Sequence, residues 1–265
     1  IMENKYKPRI IDQYLDSALE ASGAVLIEGA KWCGKTSTAK QKAASVLLMQ
    51  DPDYTRSYLK SADTKPSLLL KGETPRLIDE WQMAPVLWDA VRFAVDERNE
   101  PGQFILTGSA VPLDDVLQHT GTGRISRILM RPMSLYESME SNGSVSLNDL
   151  FDGKTDIEGI SSLTIENLAF ALVRGGWPAS IGAKESVALK RAHNYVDAVI
   201  HLDVSQVDGI EKNPARVRAL MRSYSRNIAT TANMSTIRKA IASDEDTISE
   251  KTIASYIHAL RRIYV

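Results

Sequence analysis

The sequence is poor in the residues that build disulfides and transition-metal sites. Its 265 residues include one cysteine, Cys33, which excludes an internal disulfide and a cysteine-based zinc site. The four histidines are too scattered along the chain to suggest a metal cluster. We interpret His201 and Asp203 as part of a helix surface rather than as a ligand pair. No run approaches about eighteen uninterrupted apolar residues and no signal peptide precedes the first predicted element, so we expect a cytoplasmic protein with no membrane partner.

A phosphate-binding pattern, G-x-x-x-x-G-K-[ST], occupies residues 29–36. An apolar run at 23–28 precedes it and predicts a buried strand, and residues 35–44 lack glycine and proline and predict a helix. Loop amides and the amino end of that helix would face the phosphates, with Lys35 near the γ-phosphate and Thr36 on Mg²⁺. We therefore predict that the loop binds a nucleoside triphosphate through Gly29, Ala30, Lys31, Trp32, Cys33, Gly34, Lys35, Thr36 and Ser37.

A second element needed for hydrolysis is present at residues 76–80, where an apolar pair is followed by two acids. We predict a buried strand in which Asp79 holds Mg²⁺ through water, beside Thr36 on the same ion, and in which Glu80 acts as the general base. A strand that merely ends in two surface acids is the competing interpretation, since acidic pairs often begin loops.

Hydroxyl groups end another predicted strand, at residues 103–109. Ser109, and after it Thr107, could sense the γ-phosphate or hold the attacking water, so Ser109 is assigned a catalytic role. The same residues also fit a simple turn that takes the chain out of the sheet.

These motifs together resemble the AAA+ ATPases, specifically a bacterial and archaeal group described as ATP-binding proteins. The resemblance covers most of the chain and rests on six stretches: 29–36, 77–80, 105–109, 123–125, 129–137 and 175–178. It implies an α/β fold, a three-layer P-loop NTPase sandwich with a parallel sheet of order 5-1-4-3-2, and ATP with Mg²⁺ as the ligands. Members of this group typically continue with a C-terminal domain similar to restriction endonucleases, which we expect to be missing from this sequence.

The spacing of apolar residues and the positions of turn-forming residues divide the chain into three expected units. Residues 1–140 form the P-loop ATPase core, with helices predicted near 10–19 and 88–95 and strands at 45–49 and 125–130. Residues 141–230 are expected to form a helical lid, which in AAA+ proteins closes over the nucleotide.

The last unit, residues 231–265, predicts a winged-helix-like segment that we expect to be truncated. Thr247 and Glu250 fit a capping box before a helix with apolar residues at i, i+3, i+4 and i+7. Four arginines near helical spacing precede it, at 216, 218, 222 and 226, and they fit either a DNA-binding face or an ordinary solvated helix face.

Hydrolysis in such folds usually needs an arginine at the γ-phosphate, often from a neighbouring subunit. Arg124 is the first candidate and Arg127 the second, and a finger acting in trans implies a homo-oligomer. Both also fit surface positions that flank the fifth strand.

Three functions compete: a Mg²⁺-dependent ATPase that couples nucleotide state to domain movement, a nucleotide-gated DNA-binding or signalling protein with slow turnover, and a small-molecule kinase. The kinase would need an acceptor pocket, and the sequence identifies none.

Overall fold

The computed structural model describes residues 6–110, 121–207, 209–231, 233–242 and 249–265. Its five strands are β1 (Ala24–Glu28), β2 (Ser45–Leu48), β3 (Arg76–Asp79), β4 (Phe104–Gly108) and β5 (Ile125–Leu129). Helices of the first half are α1 (Ile11–Ala21), α2 (Lys35–Lys40), α3 (Thr55–Thr64) and α4 (Val86–Arg98), with 3₁₀ turns at Pro66–Leu68 and Trp81–Met83.

All five strands are parallel and form one sheet in the order β2-β3-β4-β1-β5, which confirms the predicted 5-1-4-3-2 arrangement. Because every strand runs the same way, the carboxyl ends of β1, β3 and β4 meet at one edge. Registers across that edge pair Asp79 with Thr107 and Glu28 with Gly108. The sheet therefore brings the P-loop, the two acids and the predicted hydroxyl groups together.

The sheet is covered on both faces, as a parallel sheet requires. Successive residues of β1 alternate between the two layers, so that Ala24 and Leu26 pack under α3 and α4 while Val25 and Ile27 pack under α1 and α2. All four side chains are buried. The result is the expected three-layer α/β sandwich.

Helix α2 is shorter than the sequence indicated, since it ends at Lys40 rather than near residue 44. The amide of Ala44 donates to the carbonyl of Pro75, which starts the pairing of β2 with β3 and leaves no room for another helical turn. The five strands, α1 and α4 lie within a few residues of their predicted positions, whereas α3 was not predicted.

The second half is helical and has its own core. It contains α5 (Leu147–Phe151), α6 (Ile165–Arg174), α7 (Glu185–Ala198), a π-helix (Val199–Asp203), α8 (Val204–Gln206), α9 (Pro214–Arg226), α10 (Met234–Ala242) and α11 (Glu250–Arg262), with a 3₁₀ turn at Pro178–Ser180. Buried side chains from the end of α7 to the end of α11 form one cluster, separate from the two clusters of the sheet.

The amino end of α11 differs from the predicted capping box. Ser249 is the N-cap, and its hydroxyl oxygen accepts a hydrogen bond from the amide of Thr252. Glu250 is consequently the first helical residue rather than the third, and Thr247 lies outside the described residues. Two helices, α10 and α11, are present where the winged-helix-like segment was predicted, and that assignment remains a prediction.

Candidate nucleotide site

The loop after β1 needs glycine at its two ends. Gly29 has φ +150°, and a Cβ there would lie 2.1 Å from the carbonyl oxygen of Met130. Gly34 has φ +107° and directly precedes α2. Only glycine adopts such backbone conformations without strain, which explains its spacing in this loop.

Lys35 reaches back over the loop. Its side chain is buried, and Nζ donates to the carbonyl oxygens of Gly29 and Ala30 at 2.8 and 2.9 Å. Desolvation by burial lowers the pKa of this ammonium group. An anionic phosphate would supply the counter-charge that Lys35 lacks at close range, because its two nearest partners are neutral carbonyls.

Asp79 connects the P-loop to the neighbouring strands. The hydroxyls of Thr36 and Thr107 both donate to Asp79 Oδ1, each at 2.6 Å. Thr36 is the second residue of α2 and Thr107 lies in β4, so side chains of three elements meet at one carboxylate oxygen. Hydroxyl and carboxylate oxygens are ligands that Mg²⁺ prefers, and the pair Thr36 and Asp79 therefore fits a magnesium site.

Glu80 is held beside this group in a left-handed conformation, with φ 55°. Its amide donates to Thr107 Oγ1 at 3.2 Å, and Ser109 Oγ donates to its carboxylate at 2.9 Å. Non-glycine residues in this conformation are uncommon and cluster at functional sites. The structure thus brings together Glu80 and Ser109, the two residues of this sheet edge to which the sequence assigned catalytic roles.

A cavity of about 500 Å³ opens over these residues. It is lined by Lys31, Trp32, Gly34, Lys35, Thr36, Ser37, Gln50, Glu80, Ser109, Pro178 and Ala179. A second cavity of about 280 Å³ shares part of this wall and extends towards Tyr6, Lys7 and Arg9. Pro178 and Ala179 belong to the helical half, so the cavity lies between that half and the sheet.

Cys33, although part of the predicted binding loop, does not face the cavity. It is fully buried in the layer under α1 and α2, where Sγ lies 3.5 Å from the carbonyl oxygen of Met130. Desolvation by burial raises the pKa of its thiol, so the reactive thiolate is disfavoured. Any contribution of Cys33 to phosphate binding would come from its backbone amide.

Two other loop side chains contact the helical half. Lys31 Nζ lies 2.5 Å from Asp203 Oδ1, at the end of the π-helix. The ring of Trp32 lies 5.5 Å from that of Tyr195, which in turn packs edge-on against Trp177 at 4.6 Å. The interpretation of Asp203 as helix surface was wrong, because this residue is buried and bonded to the P-loop.

Arg9 supports the loop from behind and was missed by sequence reasoning. Its buried guanidinium donates to the carbonyl oxygens of Cys33 and Arg131, both at 2.8 Å, and to the carboxylate of Glu137 at 2.9 Å. Met133, in the same stretch, donates its amide to the carbonyl of Gly176 at 2.7 Å. The stretches 129–137 and 175–178 therefore hold the P-loop and the adjoining wall of the cavity in place.

The two arginines proposed as fingers lie apart from the cavity. Arg124 immediately precedes β5, at the opposite end of the sheet, and its side chain bonds to Asp96 at 2.8 Å. The guanidinium carbon of Arg127 lies 5.0 Å from the centre of the Trp88 ring, and its Nη1 lies 3.7 Å from Glu28 Oε2. Neither residue joins the site of its own chain, so a role for Arg124 in trans remains a prediction.

The fold and the loop define a P-loop NTPase: a parallel sheet of order 5-1-4-3-2 whose first strand leads through G-x-x-x-x-G-K-T into a helix. Residues 21–139 match the model of an AAA domain, and residues 165–265 match that of a domain of unknown function, DUF8612. The first match supports an AAA-type ATPase core with ATPase-like nucleotide binding.

A solved structure shares this fold at low sequence identity. A Walker-type ATPase of Pyrococcus abyssi aligns with a TM-score of 0.56 and 17% identity, over 97% of this chain and 90% of that chain. PCH-2 of C. elegans aligns with a TM-score of 0.35 and 14% identity, over 98% of this chain and 70% of that chain. No curated protein sequence matches the chain.

Proposed function

We propose that this protein binds ATP with Mg²⁺ and hydrolyses it. The observation that carries the proposal is the convergence on Asp79, where the hydroxyls of Thr36 and Thr107 meet one carboxylate oxygen at 2.6 Å beside Glu80. Phosphate binding alone would require only the P-loop and the helix that follows it. A metal-holding carboxylate joined to the P-loop threonine, with a second carboxylate next to it, is the arrangement that hydrolysis requires.

Each residue has a defined role in this proposal. Loop amides from Gly29 to Ser37 and the ammonium of Lys35 bind the phosphates, while Thr36 and Asp79 hold Mg²⁺, which neutralises charge on the phosphate oxygens when bound. Water attacks the γ-phosphorus, its proton passes to Glu80, and the bond to the β-phosphate oxygen breaks to release ADP and phosphate. Ser109 donates its hydroxyl proton to Glu80 and holds the attacking water by accepting a hydrogen bond at Oγ.

The smaller cavity has the position expected for the base. It adjoins the phosphate cavity along Gly34, Ser37, Pro178 and Ala179, and Tyr6 closes part of its wall. Adenine as its occupant is proposed by resemblance to the ATP-binding proteins of bacteria and archaea, the finer group in which we place the chain.

Removal of the metal tests the proposal directly. With Mg²⁺ present, we expect saturable ATP binding in equilibrium dialysis and steady phosphate release without an added acceptor, which also separates a hydrolase from a kinase. Chelation with EDTA should abolish phosphate release, because Asp79 and the phosphates would then be like charges in close proximity. An absence of ATP binding in the presence of Mg²⁺ would refute the function.

Contacts between the P-loop and the helical half support coupling of nucleotide state to domain movement. Lys31 is bonded to Asp203 although its side chain is 44% exposed and lines the phosphate cavity. A triphosphate in that cavity would compete with Asp203 for this ammonium group. Release of the contact would free the π-helix and the helices that pack against it, which is how we propose that the lid senses ATP.

Asp203→Asn tests this coupling. We expect ATP to bind about two- to fivefold more tightly, because the variant removes a competitor for Lys31 and a negative charge near the phosphates. Isothermal titration with ATP and ADP would measure the change. Asp197→Asn is the matched control, since Asp197 pairs with Arg218 on the helical half. Equal or weaker ATP binding in Asp203→Asn would argue against competition.

Further parts of the proposal concern partners and location. Arg124, exposed at the far end of the sheet, is proposed to reach the site of a neighbouring copy in a homo-oligomer. DNA binding, the alternative function, is favoured by Arg222 and Arg226, which are exposed on α9.

Within the described ranges, none of the helices has both the length and the apolar composition that crossing a bilayer demands. We propose a cytoplasmic location.

A further inference from the structure

Gln82 lies directly behind Glu80 and contacts the same carboxylate oxygen as Ser109. Its Nε2 forms a hydrogen bond to Glu80 Oε2 and lies 3.5 Å from Ser109 Oγ, while Ser109 Oγ donates to Glu80 Oε2 at 2.9 Å. Gln82 belongs to the 3₁₀ turn after β3, and Ser109 follows β4. Two donors from neighbouring strand ends therefore converge on one oxygen of Glu80.

The orientation of this amide follows from its surroundings. A reversed amide would set Oε1 against the carboxylate of Glu80, so Nε2 must face that side. Oε1 instead lies beside Gly108, so that a Cβ added to this glycine would be 3.0 Å from Gln82 Oε1. This oxygen is buried and has no hydrogen-bond partner among the described residues. The side chain leaves its own acceptor unsatisfied while directing its donor to Glu80. Such an uncompensated group calls for a reason beyond packing.

We propose that Gln82 is a positioning residue for hydrolysis, a role that rests on the proposed function of Glu80. With Oε2 fixed by Gln82 and Ser109, the other carboxylate oxygen, Oε1, is left to accept the proton of the attacking water. Glu80 and Ser109 line the phosphate cavity, whereas Gln82 does not, so Gln82 acts through Glu80 rather than on the substrate. Charge-assisted hydrogen bonds of this kind fix orientation more firmly than neutral ones.

Gln82→Met removes the amide and nearly keeps the side-chain volume. We expect kcat to fall about tenfold to a hundredfold, the range typical for partners that orient a functional group. The dissociation constant of ATP should stay within about twofold, since no contact to the nucleotide is lost. Gln13→Met makes the same chemical change on the exposed face of α1 and should leave kcat unaltered. Wild-type kcat in Gln82→Met would overturn the proposal.

Measuring Gln82→Met in a chain that already carries Glu80→Gln distinguishes positioning from a general structural role. In single-turnover measurements, Gln82→Met should cause no further loss once Glu80 is replaced, because there is no base left to orient. Equal losses in both backgrounds would overturn the proposal. Gln82→Glu serves if Gln82→Met does not fold: it keeps the shape, sets a carboxylate against Glu80, and should also lower kcat by at least about tenfold. Wild-type kcat in Gln82→Glu would likewise be decisive against it.

This design separates two failures. If the wild-type chain binds no ATP or releases no phosphate, the proposed function fails and Gln82 has nothing to position. If hydrolysis is present and depends on Glu80 but is indifferent to Gln82, only the inference about Gln82 fails.

Discussion

Glu80→Gln should retain ATP and nearly stop its hydrolysis. The amide keeps the size of the side chain and can still bond to Ser109, but it cannot accept the proton of the attacking water. Loss of a general base costs about 10²–10⁴-fold in rate, so we expect kcat to fall in that range. Affinity for Mg²⁺ and ATP should be retained, because Lys35, Thr36 and Asp79 are unchanged. Phosphate release and equilibrium dialysis on the same preparation would measure both quantities.

Glu97→Gln is the control for this change. Glu97 is exposed on α4, on the other side of the sheet from the P-loop helix, and should have wild-type kcat. Wild-type kcat in Glu80→Gln would remove Glu80 from the mechanism. A parallel loss of ATP affinity would instead indicate that Glu80 contributes to nucleotide binding.

Lys35→Ala should weaken ATP binding by about tenfold to a hundredfold. Hydrogen bonds to charged groups contribute about 1.5–3 kcal/mol, which corresponds to that range of affinity. ATP should lose more affinity than AMP, because the ammonium is placed over the loop rather than near the proposed base cavity. Titration calorimetry with both nucleotides would show the difference.

Lys35→Ala also removes two hydrogen bonds to carbonyl oxygens of the loop, and two further variants separate this structural effect from the loss of phosphate binding. Lys35→Met keeps the length of the side chain and should lose ATP affinity to a similar degree. Lys60→Ala removes an exposed lysine from α3 and should bind ATP normally. Unchanged ATP affinity in both Lys35 variants would contradict phosphate binding by this loop.

Local features of the fold could be predicted from the sequence because they depend on neighbouring residues. The apolar runs that became β1, β3 and β4, and the glycines of the P-loop, are short patterns with local physical causes. Strand order is different, since it depends on which strands pair, and it was available only through resemblance. Helix α2 ended early because of a contact with Pro75, more than thirty residues along the chain.

The site was predictable where it follows the sheet and unpredictable where it depends on the helical half. Asp79 ends β3, and Glu80 and Ser109 directly follow two neighbouring parallel strands, so their meeting at one edge follows from topology. Asp203 contacts Lys31 across 172 residues, and nothing in a helix-like stretch marks one acid as buried. Gln82 could have been suspected from its position two residues after Glu80, but its orientation required the turn that follows β3.

The wall formed by Pro178 and Ala179 has a consequence for how this molecule divides. The AAA match stops at residue 139, yet both cavities near the P-loop are closed by residues some forty positions beyond that point. A fragment limited to residues 21–139 would keep every residue of the phosphate-binding motif. Its cavities would be open on the side that Pro178 and Ala179 close in the whole chain. The smallest unit able to enclose a nucleotide is therefore larger than the unit that sequence similarity outlines.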